Sequence, residues 1–217
     1  MRFDHHITDH GGAPPIRRRP RRLSEVFAQL ARDADGDVSI AHISKTLGAR
    51  AFAPLLVFFS ALNLLPLPPG SSAFLGLPLI IISSQMVYGN RRTWLPGFLA
   101  NRSLTADQFR SMMDRVIPRL AKVELLIRPR YWPFWRRRGD RIVGILALVM
   151  AIVVTLPIPG GNWLPAFSSA LLGLSLLERD GILFALGSTI GVIAMGLIAV
   201  IIGSAGYAGH AVWGWMV

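Results

Sequence analysis

Residues 62–72 read LNLLPLPPGSS, and this stretch decides how the rest of the chain is read. It interrupts a long apolar segment with Pro66, Pro68 and Pro69, then Gly70, Ser71 and Ser72. Proline removes a backbone donor and cannot sit in a helix interior without breaking it. Glycine allows a sharp reversal. Serine is a good N-cap for a helix that starts afterwards. The local reading is therefore helix, break, and a second helix running back.

The phrase returns at residues 156–162 as LPIPGGN. A shift of 91 residues places Gly48 on Gly139, Arg50 on Arg141, Leu65 on Leu156, Pro66 on Pro157, Pro68 on Pro159 and Gly70 on Gly161. Each copy is G-x-R, an apolar arm, LPxPxG, and a second apolar arm. This is an internal repeat, an arrangement common in membrane transporters, where the site lies between the copies.

Composition sets the solvent. Of 217 residues, 52% are hydrophobic and 16% charged. A soluble domain carries about 25% charged residues. No Asp, Glu, Lys or Arg occurs in 51–88, 142–177 or 181–217. The fold class read from this is an all-α integral membrane protein. It has two repeated helical hairpins, one long C-terminal transmembrane helix and an amphipathic cytoplasmic connector. The expected divisions are 1–22, a disordered basic tail; 23–50, short cytoplasmic or interfacial helices; and 51–88, hairpin repeat 1. They continue with 89–141, the basic connector; 142–180, hairpin repeat 2; and 181–217, the last span with an interfacial end.

The four arms, Ala51–Leu67, Ala73–Tyr88, Ile142–Ile158 and Trp163–Leu177, are 17, 16, 17 and 15 residues long. As helices they reach about 23–26 Å, against a hydrocarbon core of about 30 Å. Two geometries fit: hairpins that span, with LPxPxG as an outer turn, or re-entrant hairpins with the breaks at depth. Broken backbone at depth must be buried in protein or line a watery cavity. Ile182–Ile202 has 21 uncharged residues and can cross alone. The following SAGYAGHAVWGWMV reads as too short and glycine-rich for a span, with Trp213, Trp215 and His210 suited to an interface.

Charge gives the orientation. The net charge is +11. The connector 89–141 holds 13 basic and 4 acidic residues, which is 13 − 4 = +9 of that total. Arg17–Arg22, Arg91, Arg92, Arg128, Arg130, Arg136, Arg137, Arg138 and Arg141 flank the hairpins, so these ends are expected in the cytoplasm. Each hairpin then leaves from and returns to the cytoplasm, and the copies are parallel. The expected partners are the bilayer, including its anionic lipids, and a second copy of the chain; nucleic acid is not expected. N-terminal RRRPRR leads into an amphipathic segment and not an apolar signal core.

Shorter signals fill in the rest. Leu23–Arg32 reads as a helix with Ser24 as cap, and Val38–Leu47 as a second one ending at Gly48, with Val38, Ile40, Ile43 and Leu47 free to rest on the membrane surface. Phe109, Met113, Val116, Leu120, Val123 and Ile127 recur at helical spacing. Thr105 and Gln108 form a capping-box pattern, and Pro118 predicts a kink. Tyr131, Trp132, Phe134 and Trp135 among arginines suit an interfacial belt. Gly187, Gly191 and Gly196 suit close packing of the last span, and Ser83, Ser84, Gln85, Ser168 and Ser169 suit hydrogen bonds between helices.

In the re-entrant geometry the second arm of each hairpin aims its N-terminus at the break, where unpaired N–H groups favour an anion. The candidate ligand-binding residues are Asn63, Pro66, Pro68, Gly70, Ser71, Ser72, Thr155, Pro157, Pro159, Gly161 and Asn162. Arg50, Arg141, Glu178, Arg179 and Asp180 are charged candidates, either for coupling and pairing or as a solvated turn. There are no cysteines, which excludes disulfides, thiolate metal sites and a cysteine nucleophile. The histidines His5, His6 and His10 fall in the tail. No G-x-S-x-G, H-E-x-x-H or phosphate loop occurs. The expectation is no enzyme, no catalytic residue, no cofactor and no metal.

Several segments together resemble the ExoD family of bacterial integral membrane proteins. They are LGARAF (47–52), LLPLPPGSS (64–72), GLPLI (76–80), WLP (94–96), RPR (128–130), GDRIVG (139–144), LPIPGGNWLPA (156–166) and LLERDG (176–181). The resemblance runs from Leu23 to Ile202. It implies a role in exopolysaccharide synthesis at the bacterial inner membrane, with tolerance of the envelope to alkaline conditions by association. It supplies no reaction and no site residues. Two functions are carried forward: binding or transport of an anionic envelope precursor (a polyprenyl-phosphate carrier, for example) or a small ion between the two breaks, and a non-catalytic scaffold of a polysaccharide-assembly complex docking through 102–138.

Overall fold

A computed structural model describes residues 22–48, 51–65, 71–90, 92–127, 131–134, 136–156 and 161–216. Residues 1–21 of the proposed tail, Arg50, Pro66, Pro68, Gly70, Pro157 and Pro159 lie outside these residues.

Among the described residues the chain is all-α apart from one short ribbon. Helix α1 is Leu23–Arg32, strand β1 is Asp37–Ser39 and α2 is Ile40–Leu47. The first hairpin is α3 (Phe52–Asn63) and α4 (Ser71–Tyr88). The connector contains α5 (Gly97–Ala100), β2 (Ser103–Thr105) and α6 (Ala106–Leu126). The second hairpin is α7 (Arg136–Thr155) and α8 (Trp163–Glu178), and α9 is Gly181–Met216.

The hairpins interlock. Helix α4 packs along α7, and α3 along α8. The contacts fix the directions. A Cβ added to Gly76, early in α4, would collide with Thr155 at the end of α7. One added to Gly144, early in α7, would lie 2.8 Å from Met86 Cβ near the end of α4. Gly173, late in α8, meets Val57 and Ala53 early in α3. Both pairs are antiparallel, so the end of α3, the start of α4, the end of α7 and the start of α8 lie at one end of the four-helix bundle and the hairpin mouths at the other.

The last helix packs on α8. Gly187 lies against Leu171 and Leu172, and Gly191 against Ser168 and Met150. Gly196 faces open space and plays no such part. Ser168 Oγ donates to the Gly187 carbonyl at 2.8 Å, a bond between helices. Ser83 and Ser84 instead donate to carbonyls of their own helix. Gln85 pins the chain after the hairpin: its side chain donates to the Trp94 carbonyl at 2.6 Å and accepts from Trp94 N–H at 2.8 Å.

Two helices, Ser71–Tyr88 and Gly181–Ser204, are long and apolar enough to cross a membrane. Phe52–Asn63 and Trp163–Glu178 are apolar but shorter. Helix α9 does not stop near Ile202 as expected but continues to Met216. Glycine weakens a helix by only about 1 kcal/mol per residue, so composition alone did not end it.

The segments outside the hairpins are packed on protein. Helices α1 and α6 pair with each other. Phe109, Met113, Val116 and Leu120 of α6 are buried in the same core as Phe27 of α1 and Phe58 of α3. Val38 and Ile43 are buried there too, in place of the membrane surface expected for them. Val38 also belongs to β1 and not to a helix. The strands pair antiparallel, Asp37 with Thr105, Val38 with Leu104 and Ser39 with Ser103. Thr105 caps α6 in a capping box: its Oγ1 accepts from Gln108 N–H, and Gln108 Oε1 accepts from Thr105 N–H, each at 3.4 Å. Helix α6 runs through Pro118.

Candidate functional site

At the break end, four helix termini carry polar groups. Asn63 ends α3, Ser71 and Ser72 open α4, Thr155 ends α7, and Asn162 precedes α8. Asn162 Nδ2 donates to Ser72 Oγ at 2.8 Å, a bond from one repeat to the other. Asparagine before a helix commonly caps it, but the Asn162 side chain makes no capping bond with α8 and reaches across to the other hairpin. Thr155 Oγ1 donates to the Ala151 carbonyl at 2.7 Å and fills the space beside Gly76. Gly161 is buried. Ser71 has a partner of its own.

Two acceptors at this end have no partner among the described residues. Asn63 is 7% exposed. Its Nδ2 donates to the Phe59 carbonyl at 2.9 Å, which fixes the amide orientation, and its Oδ1 is buried and unpaired. Asn162 Oδ1 is likewise buried and unpaired. Further along, Ser60 on α3 and Ser169 on α8 are fully buried with unpaired hydroxyls. A buried polar atom without a partner costs about 1–3 kcal/mol, so these atoms mark places where a donor or water belongs.

The described charged candidates, Arg141, Glu178, Arg179 and Asp180, lie at the opposite end and divide. Asp180 is a cap: its Oδ1 accepts from Ile182 N–H at 2.9 Å and Leu183 N–H at 3.2 Å, at the start of α9. Arg179 is the C-cap of α8 in the left-handed region, φ 54° and ψ 49°. Arg141 and Arg179 line a cavity of about 970 Å³ with Asp140 and apolar residues of α3, α4 and α8.

Glu178 ends α8, past the apolar arm that closes at Leu177. Burial pushes its carboxyl above the ordinary carboxylate value, the carboxylate of Glu124 adds to this, and Arg22 opposes it. Glu124 was not singled out from the sequence. It is 7% exposed and accepts from Ser24 N–H at 3.0 Å and from Ser24 Oγ. Ser24 is therefore not the cap of α1 but a donor from its first turn. A carboxylate there also suits the positive end of the helix. The signal was present: Glu124 follows Met113, Val116 and Leu120 at spacings of three and four on the buried stripe of α6.

A raised folded-state pKa means the folded chain holds the proton more tightly than the unfolded chain. The stabilisation is fully present below the ordinary carboxylate value and is lost as pH rises through the raised one. Glu178→Gln should therefore unfold about 1–2 °C higher than the parent at pH 7, a small effect because solvent screens the group. The difference should vanish near pH 4. Thermal unfolding in detergent at the two pH values measures it; a lower midpoint at pH 7 would refute the assignment.

Comparison with known proteins supplies the family. The model described as "Exopolysaccharide synthesis, ExoD" matches residues 23–200. The chain belongs to the ExoD family. An uncharacterized protein of Synechocystis sp. is 28% identical over 169 residues, covering 77% of this chain and 79% of that protein. Protein ExoD of Rhizobium meliloti is 25% identical over 174 residues, covering 77% of this chain and 72% of that protein. No solved structure matches the chain. Among the described residues, no group of three or more His, Asp or Glu could hold a metal ion.

Proposed function

We propose that this ExoD-family chain is a membrane-embedded, non-catalytic component of bacterial exopolysaccharide synthesis. It binds an anionic lipid-linked precursor where the two helix breaks meet. The observation that carries the reading is the Asn162–Ser72 bond, which ties the start of α4 to the residue before α8. The N-termini of α4 and α8 bring their first-turn N–H groups and positive dipole ends to that end, suited to a phosphate. The unpaired Oδ1 atoms of Asn63 and Asn162 suit sugar hydroxyls, which donate. One ligand of this class, a sugar carried on a phosphate lipid, satisfies both. In this reading Pro66, Pro68, Gly70, Pro157, Pro159 and Gly161 shape the turns. The arginine-rich ends lie in the cytoplasm, as positive-inside charge favours in the bacterial inner membrane.

Asn162→Leu removes both the tie and an acceptor while leaving the helix ends intact. Exopolysaccharide output from cells relying on the variant should fall on the order of tenfold, the worth of about 1.4 kcal/mol in ligand affinity. Membrane levels of the protein should be unchanged. Normal output would remove the break site and favour the second reading, a scaffold docking through 102–138. That reading draws on the exposed side chains nearby, Phe98 at 64% and Tyr131 at 87%.

A further inference from the structure

A cavity at the hairpin mouths lies apart from the break site. It is lined by the start of α3, the end of α4, the start of α7 and the end of α8. Its wall has two characters. Phe52, Met86, Trp132 and Leu176 form an apolar side, and Arg141 and Arg179 supply cationic heads.

Two arginines of α6 have structural work. Arg110 donates to the Ala34 carbonyl at 2.6 Å and the Ala31 carbonyl at 3.3 Å, and Arg119 to the Arg115 carbonyl at 3.1 Å. No bond of this kind holds Arg141 or Arg179 among the described residues. Asp140, which also lines the cavity, has a partner of its own. The guanidinium of Arg141 lies over Gly89, where a Cβ would come within 3.2 Å of Nη2. Gly89 has φ +79°; a side chain there would be strained and would push Arg141 away. Arg179 holds a left-handed backbone where glycine is the unstrained choice. Positive-inside charge asks only for arginines near the membrane ends. It does not ask for two of them, 38 residues apart, to converge on one amphiphilic hollow.

We infer that this cavity is a binding site for an anionic phospholipid, with Arg141 and Arg179 gripping its phosphate and the apolar wall taking the first part of its chains. Arginine forks match phosphate oxygens in pairs. The volume suits one headgroup and the upper part of its tails. A free phosphate would leave the apolar wall unused, so the lipid is the occupant. The site stands at the opposite end of the bundle from the breaks and does not depend on a ligand there.

Native mass spectrometry of the detergent-solubilised full chain, titrated with phosphatidylglycerol and with phosphatidylcholine of the same chain length, tests it. The parent should retain phosphatidylglycerol about tenfold more tightly than phosphatidylcholine. Arg141→Gln with Arg179→Gln should remove that preference, and the paired Lys variant, which keeps charge but not the fork, should keep part of it. Arg115→Gln, on α6, should behave as the parent. A double Gln variant that unfolds at the parental temperature yet keeps the full preference overturns the site. So does release of the lipid by millimolar inorganic phosphate alone, which would make this a free-anion site. If the Gln pair does not fold, the Lys pair carries the test: no loss relative to the parent would overturn the role of the fork.

Discussion

Gly144→Leu should strongly destabilise the folded protein. The position is early in α7, where that helix crosses the end of α4. A Cβ alone would lie 2.8 Å from Met86 Cβ, 3.0 Å from the Val87 nitrogen and 3.2 Å from the Met86 carbonyl carbon. Two of these three are backbone atoms, which cannot rotate aside. Relief requires the helices to separate, but Gly76 and Thr155 hold the same pair together at its other end. The helices cannot pivot about one contact without breaking the other. Overpacking usually costs about 1–3 kcal/mol where side chains can yield; here they cannot, so the cost should reach about 3 kcal/mol or more. Against a total stability of about 5–15 kcal/mol, the leucine variant should give little monodisperse protein on size exclusion. Gly196→Leu is the control, since nothing lies within 4 Å of that position, and it should behave as the parent. A stable Gly144→Leu would mean α4 and α7 do not pack as described.

The glycines illustrate what a sequence displays and what it withholds. The apolar runs and the capping box at Thr105 and Gln108 are local signals, and each coincides with a helix or a helix end here. Gly144 and Gly76 look ordinary in an apolar run; their importance comes from which residue of another helix lies opposite. The same is true of the Asn162–Ser72 bond. Asn162 reads locally as a cap, and only the pairing of the hairpins turns its side chain elsewhere. Strands β1 and β2 pair three residues with three, the central pair Val38 and Leu104 being 104 − 38 = 66 positions apart, too short for periodicity to register. The apolar faces of α2 and α6 were legible as faces. What covers them was not, because a membrane and a protein core both ask for the same residues. Asp180 reads either as a charge for pairing and coupling or as part of a solvated turn, and its capping bonds depend on where α9 begins.

Phe58→Ala separates those two kinds of covering. Helix α3 has 12 residues, about 18 Å of helix, and most of its side chains are buried. A helix apolar all round is a core helix or a membrane helix. Phe58, at the middle of it, is 1% exposed. Its ring meets Phe27 of α1 at 5.5 Å, Phe59 at 5.2 Å and Phe109 of α6 at 6.4 Å between centroids. Three elements from both sides of the first hairpin therefore converge on one side chain. Truncating a buried phenylalanine costs about 3–5 kcal/mol, or about 10 °C in unfolding midpoint for a chain of this size. The same change at a lipid-facing position would leave no cavity, because acyl chains fill the space, and should shift the midpoint by no more than about 2 °C. Ile193→Ala, on the exposed face of α9, provides that comparison. Limited proteolysis should follow the thermal result. With Phe58 removed, α1 and α6 lose their shared anchor on the hairpin, and cleavage around Asp33–Asp35 and after Arg102 should accelerate while the bundle persists. Equal, small shifts for Phe58→Ala and Ile193→Ala would mean that lipid, and not α1 and α6, covers the middle of α3.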